Sequence, residues 1–271
     1  MARTRPPPIV GRYLLADRVG LGGTGAVWRA WDLREERYVA AKLLRRYDEA
    51  LLLRFVREQA LRIRHPHVLA PRGWAAEDEV AVIVSELVRG GSVRGLLGAG
   101  PLPEGFAVVL LDQALQALVA VHAAEVVHGD VKPANLLLEP TGAGRPHLRL
   151  ADFGVASAAD GVVFRSIGPV GTVGYLAPDQ ERGAPPDPAQ DVYALGVTGR
   201  RLLRGPAAVT TLLDSMTRPE ARLRPTAQVA LERLRSLPVR RGGDWPVVPD
   251  RLGPDPPGPP AGTRGRLGWL R

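Results

Sequence analysis

The stretch VVHGDVKPANLLL, residues 126–138, places a carboxylate (Asp130), an ammonium (Lys132) and a carboxamide (Asn135) within six residues, between two apolar runs. A carboxylate so held can accept or orient the proton of a hydroxyl group. An ammonium beside it can neutralise charge on a transferring phosphoryl group. An amide oxygen, together with the carboxylate of Asp152 in the later LADFG, suits a hard cation such as Mg²⁺. Residue usage sharpens the reading. Of 36 basic residues 34 are Arg, and only Lys42 and Lys132 are Lys; Asn135 is the one Asn. Heavy use of Ala, Arg, Gly and Pro points to a GC-rich coding bias against Lys and Asn. Survivors of such a bias mark positions where a compact point charge is needed and a planar guanidinium does not serve.

A second constellation lies near the start, VGLGGTGAV: Val19, Gly20, Leu21, Gly22, Gly23, Thr24, Gly25, Ala26 and Val27. Gly20, Gly22 and Gly25 form G-x-G-x-x-G, in which missing side chains let the backbone approach phosphates closely. Alone the pattern is weak, since glycines also make ordinary hairpins. A dinucleotide site would require a helix next. Here Val27–Trp31 reads as a strand, so the glycines cap a β-hairpin. The following strand ends YVAAK, at Lys42. Residues 49–64 lack Gly and Pro and carry apolar residues at helical spacing, predicting a helix. Its Glu58 could pair with Lys42, or simply belong to a solvated face beside Arg54, Arg57 and Arg62.

These groups must be carried by particular elements. Short strands are expected over 9–46 and at 80–86, a hinge-like turn at the Gly90–Ser92 GGS, and a long helix over 103–125. Helices predominate from there to Leu237, the last capped by Thr226. After Pro238 the character changes. Eight prolines, several glycines and little periodicity predict a mostly disordered tail, 238–271. The 271 residues suffice for one large domain or two lobes. Apolar and charged contents of 45% and 24% are those of a globular protein. No run of 18 apolar residues occurs, so no membrane anchor is expected, and the first residues lack the apolar core of a signal peptide. The absence of Cys excludes disulfides and thiolate metal sites and makes a cytoplasmic location the expectation. The net charge of +8 is spread over scattered arginines, so no nucleic-acid partner is expected.

With all four motifs in order, the sequence resembles the bacterial, eukaryotic-like serine/threonine protein kinases over roughly residues 10–237. GTVGYLAPD at 171–179, DVYALG at 191–196 and RPT at 224–226 continue the match. The resemblance implies an α+β, bilobal fold: an antiparallel-sheet N-lobe with one long helix (about 10–86) and a mainly helical C-lobe (about 92–237). It implies ATP and Mg²⁺, and protein substrates bearing Ser or Thr. By the same resemblance Lys42 would hold the α/β-phosphates and pair with Glu58. Val27 and Ala40 would line the adenine pocket, and Glu86 to Val88 would form the hinge. Asp130 would be the catalytic base, Lys132 would contact the γ-phosphate, and Asn135 and Asp152 would bind Mg²⁺. Thr172 would contact Asp130, and Asp191 would brace the catalytic loop.

Three departures stand out. Gly129 replaces the Arg that in many kinases receives a phosphorylated loop residue, which implies activity without loop phosphorylation. Asp179 replaces the usual Glu of A-P-E. The stretch between Arg204 and Arg224 has room for about one helix, 207–216, where the family usually has two. Two rival readings share the motifs: a kinase-like small-molecule phosphotransferase of the aminoglycoside or choline type, and a catalytically silent kinase-shaped scaffold.

Overall fold

Apolar residues two apart, such as Val39, Ala41 and Leu43, point to one side of a strand, and the fold of the first part of the chain is built on that period. A computed structural model describes residues 7–22, 25–45, 63–77, 80–152, 157–158, 172–203, 207–243 and 245–260. It comprises two units: Met1–Leu52 with Pro71–Leu87 and Leu252–Arg271, and Leu53–Ala70 with Val88–Arg251.

The first unit is one antiparallel sheet. Its strands are β1 (Tyr13–Gly22), β2 (Gly25–Asp32), β3 (Arg37–Arg45), β4 (Gly73–Glu77) and β5 (Val80–Ser85), in the order β1-β2-β3-β5-β4. Tyr13, Leu15, Trp28, Ala30, Val39, Ala41, Leu43, Val82 and Val84 pack together on one face. By the two-residue period, Val27, Ala40 and Lys42 fall on the other, and Val27 pairs directly with Lys42 across the β2–β3 ladder. The glycine-rich stretch does close a hairpin, Gly22 pairing with Gly25. Gly25 has to be Gly: φ is +151°, and a Cβ there would lie 2.2 Å from the Leu43 carbonyl oxygen. Gly23 and Thr24, and the expected helix with Glu58, lie outside the described residues.

The second unit is mainly helical. Its elements are α1 (Val93–Leu97), α2 (Glu104–Ala123), β6 (Val126–Val127), β7 (Leu136–Leu138), β8 (Leu148–Leu150), β9 (Ser157–Ala158), α3 (Pro178–Glu181), α4 (Pro188–Leu202), α5 (Thr210–Met216), a 3₁₀ turn (Ala221–Leu223) and α6 (Ala227–Ser236). Helix α2 is the core. It is long and apolar enough to cross a membrane by composition, but 72% of that window is buried inside the protein. Phe106, Leu110, Leu111, Leu115 and Leu118 are almost wholly enclosed, each contributing about 1.5–3 kcal/mol. Thr226 caps α6 by accepting the Val229 N–H. One helix, α5, occupies the shortened stretch before Arg224. It packs where α4 carries Gly199, at which a Cβ would meet Leu213 at 2.6 Å.

The C-terminal segment departs from expectation. It has no helix or strand through Pro260, yet its described part is packed. In the second unit the Trp245 and Phe106 rings lie 5.6 Å apart, and Val248 is fully buried. Val248 and Gly142 exchange both backbone hydrogen bonds, at 2.8 and 2.9 Å. Arg89 pairs with Asp250 at 2.9 Å and accepts the Arg251 N–H through its carbonyl. In the first unit, Arg29 donates to the Leu252 carbonyl and Tyr38 to that of Gly258. Composition did not signal the packing, because two isolated apolar anchors and backbone bridges leave no period to read.

Candidate active site

The loop between β6 and β7 carries Asp130, Lys132 and Asn135. Its ends are fixed by short ladders: β6 pairs with β9, and β7 with β8, Leu136 opposite Leu150. Its middle is fixed by one carboxylate. Asp191, in the first turn of α4 and 1% exposed, accepts the backbone N–H groups of His128 and Gly129, both at 2.8 Å. The same carboxylate meets the His122 Nε2 at 2.9 Å. Burial alone would push the Asp191 carboxyl up; the His122 hydrogen bond, nearby imidazole charge and the Gly129 N–H together hold it below the ordinary carboxylate value. His128, fully buried, ties the loop to the Ala151 carbonyl through Nε2 at 3.1 Å.

Gly129 sits at φ +78°. That left-handed conformation costs a residue with a side chain about 1–2 kcal/mol. Turning the N–H groups of 128 and 129 onto one carboxylate requires it, so Gly relieves the strain of the bracing.

On this braced backbone Asp130 gathers three donors. Thr172 Oγ1 donates to its Oδ1 at 2.8 Å, while Lys132 Nζ, at 2.6 Å, and Asn135 Nδ2, at 3.0 Å, reach its Oδ2. Lys132 also lies 2.5 Å from Thr172 Oγ1, closing a triangle. Asn135 spends its amide hydrogens on the Asp130 side chain and carbonyl, and among the described residues its Oδ1 accepts no hydrogen bond. Its carbonyl accepts the Ala151 N–H at 2.8 Å, next to Asp152. Asp152 is itself left-handed at φ +68°. The Asn135 oxygen and the Asp152 carboxylate are hard donors of the kind Mg²⁺ takes. Among the described residues no group of three or more His, Cys, Asp or Glu could hold a metal. A cation here would complete its shell with phosphate oxygens and water, as Mg²⁺ commonly does.

A small cleft opens beside Asp130, lined by Val131, Thr172, Tyr175, Leu176, Gln180 and Gln190 among others. Its wall, 172–179, is tied down by Asp179. That carboxylate, one methylene shorter than the usual Glu, still reaches the Arg224 guanidinium, which is fully buried. Arg224 also donates to the carbonyls of Ala189, Arg218 and Pro219.

The structure therefore brings Asp130, Lys132, Asn135, Thr172 and Asp191 together. Lys42, Val27, Ala40 and Glu86 lie in the first unit, where Glu86 pairs with Arg72 at 3.1 Å; Val88 lies in the second. Glu58 and the loop 159–171 lie outside the described residues. Sequence reasoning missed His122. It stands 69 positions from the aspartate it contacts, and nothing local marks a helical His as a bracing group.

The comparisons with known proteins follow the same outline. The family model described as protein kinase domain matches residues 13–211. The chain is 38% identical over 229 residues to the serine/threonine-protein kinase PkaA of Streptomyces coelicolor, covering 76% of this chain and 42% of that protein. It is 34% identical over 277 positions to PknA of Mycobacterium tuberculosis, 92% of this chain and 63% of that protein. PknL of the same organism is 38% identical over 201 residues, 72% of this chain and 49% of that protein. The chain thus spans between about two fifths and just under two thirds of the length of these relatives.

Proposed function

This chain belongs to the protein kinase family, and we propose that it transfers the γ-phosphoryl group of ATP, with Mg²⁺, to Ser or Thr hydroxyls of protein substrates. The observation that carries the reading is the Asp130 carboxylate, held by Thr172 on one oxygen and by Lys132 on the other. In the reaction the acceptor oxygen forms a bond to the γ-phosphorus, the bond to the β-bridging oxygen breaks, and ADP leaves. Asp130 orients the acceptor hydroxyl and takes its proton. Lys132 faces the charge on the transferring group, and its contact with Thr172 keeps it aimed there. By the family pattern Lys42 and the glycine-rich stretch would serve the phosphates, and Val27, Ala40, Glu86 and Val88 the base. Mg²⁺, when bound, would supply charge neutralisation on the phosphates, and Asn135 and Asp152 are the residues that would hold it.

Protein rather than small-molecule acceptors are favoured by the Thr172–Asp130 hydrogen bond, which sets the 172–179 wall beside the base, and by relatives named as serine/threonine-protein kinases. Activity independent of loop phosphorylation and a cytoplasmic location belong to the same reading. Transfer of label from γ-labelled ATP to a mixed protein acceptor, tested beside small-molecule alcohols, decides the matter. Label in protein Ser and Thr supports the reading. Label only in the alcohols, or none with intact ATP binding, overturns it in favour of one of the rivals.

A further inference from the structure

Several arginines in this protein are matched to carboxylates. Arg12 pairs with Asp32, Arg29 with Asp17, Arg149 with Glu139, Arg200 with Asp214, Arg224 with Asp179 and Arg235 with Asp112. Arg201, in the last turn of α4, is different. Its guanidinium stacks over the Tyr175 ring at 4.1 Å, donates to the Tyr175 hydroxyl at 2.7 Å and to the Gly174 carbonyl at 3.1 Å. It is exposed and, among the described residues, meets no carboxylate. A guanidinium has five N–H donors in a rigid fork, and two are used here. The residue is exposed and its guanidinium is already held in place, so an incoming anion need not order it.

The location gives this cation a purpose. Thr172 and Tyr175 are the ends of one turn, the Tyr175 N–H donating to the Thr172 carbonyl at 3.0 Å. Thr172 touches the catalytic carboxylate, and Tyr175 lines the same pocket as Asp130. Between them Val173 is 87% exposed. A segment delivering its hydroxyl to Asp130 through this cleft would run beside the turn. Arg201 stands seven residues along α4 from pocket-lining Ala194, about 10 Å at the helical rise. That is roughly three or four residues of extended chain, at about 3.3 Å each.

We propose that Arg201 is a specificity-determining residue that selects acceptor segments carrying an anionic side chain, carboxylate or phosphate, within about four residues of the phosphorylated Ser or Thr. This rests on the kinase reading above. The shared chemistry is the planar bidentate match of guanidinium to either oxyanion.

The test uses the full chain and a Ser peptide in which Asp, phosphoserine, Lys or Ala is placed in turn at each flanking position. With wild type, kcat/KM rises about five- to tenfold over Ala when an anion occupies one of those positions, as expected for an exposed but pre-ordered charge-assisted contact. A larger gain from phosphoserine than from Asp identifies a previously phosphorylated substrate; the reverse identifies an acidic one. Arg201→Gln abolishes the preference, and Arg201→Glu turns it toward Lys, with KM for ATP unchanged. Tyr175→Phe, which removes one hydroxyl, weakens the preference and serves if the Arg201 variants do not fold. Fluorescence anisotropy with the same peptides, Ala replacing the acceptor Ser, reads the preference without turnover. Absence of transfer with that binding preference intact would sink the kinase reading alone. An anion that improves neither turnover nor binding at any position, or a preference that survives both Arg201 variants, overturns the proposal.

Discussion

Two stretches without regular secondary structure behave alike in the folded chain and unlike in the sequence. The catalytic loop, 128–135, is pinned by side chains: Asp191 holds its backbone, and Lys132, Asn135 and Thr172 converge on Asp130. The C-terminal segment, 238–260, is pinned by backbone bridges and by a few isolated side chains. Val248 bridges Gly142, Arg251 bonds Arg89, and an added Cβ at Gly105 would lie 2.3 Å from the Arg240 carbonyl. Backbone groups are the same in every residue, so contacts of the second kind leave no mark in composition. Contacts of the first kind need particular functional groups, and in a chain so poor in Lys and Asn those stand out.

The comparison predicts a division of labour. Asp130→Asn preserves size and most of the hydrogen bonding but cannot take the acceptor proton, so kcat falls by roughly 10²–10⁴-fold. Nucleotide affinity and melting temperature stay close to wild type. Steady-state kinetics beside nucleotide titration check this, and near-normal turnover would remove Asp130 from the mechanism. The reach of the sequence follows the same line. The strand alternation of β3, the length of α2 and the Thr226 cap were readable because each rests on a local period or a local residue type. The Asp191 brace was readable only through the family resemblance. His122 and Arg201 were not readable at all, since each acts on a residue far away in the chain.

Truncation after Leu237 tests the other half of the comparison. It removes the fully buried Val248 and the Trp245–Phe106 contact. Burial of one such aliphatic side chain is worth about 1.5–3 kcal/mol and an aromatic pair about 0.5–1.5. A loss of roughly 2–4 kcal/mol is expected, seen as a melting temperature lower by about 5–15 °C. The turnover of the molecules still folded at 25 °C should change little. An unchanged melting temperature would mean that the segment is an ornament on a self-sufficient fold.

Gly129 separates backbone from side chain within the catalytic loop itself. Gly129→Ala adds only a methyl group but places a Cβ on a left-handed residue. Stability should fall by about 1–2 kcal/mol, measured by denaturant unfolding with an unchanged slope. Loss confined to activity would show that the loop yields locally while Asp191 lets go of one N–H. No loss at all would mean that the glycine serves something other than the brace.

The smallest expected effect is one of pH, and it again contrasts side-chain with backbone anchoring. His67 is largely buried near the start of the second unit, its Nδ1 2.8 Å from the Leu148 carbonyl. The His65 and His147 rings face it at 5.6 and 4.9 Å. Burial pushes His67 and His65 below the ordinary imidazole value, and neighbouring imidazoles push His67 in the same direction, against the Leu148 carbonyl and the more distant Asp112. In the unfolded chain both titrate near pH 6.5. Below that pH the unfolded state binds protons that the folded state refuses, so stability falls as pH drops from about 7 toward the depressed folded values. The carboxylates act in a separate, lower window. For Asp32, Asp112, Asp179 and Asp191 burial is outweighed by ion pairs and hydrogen bonds, and all four are lowered. Their stabilisation is complete above about pH 4 and is lost only as pH falls through the folded values. Melting temperature measured from pH 7.5 to 5 should therefore decline before any carboxylate titrates, and His67→Asn, which cannot take a proton, should flatten that decline. A wild-type melting temperature flat from pH 7.5 to 5, or a decline untouched by His67→Asn, would show that the histidines on this face are not what acid attacks first.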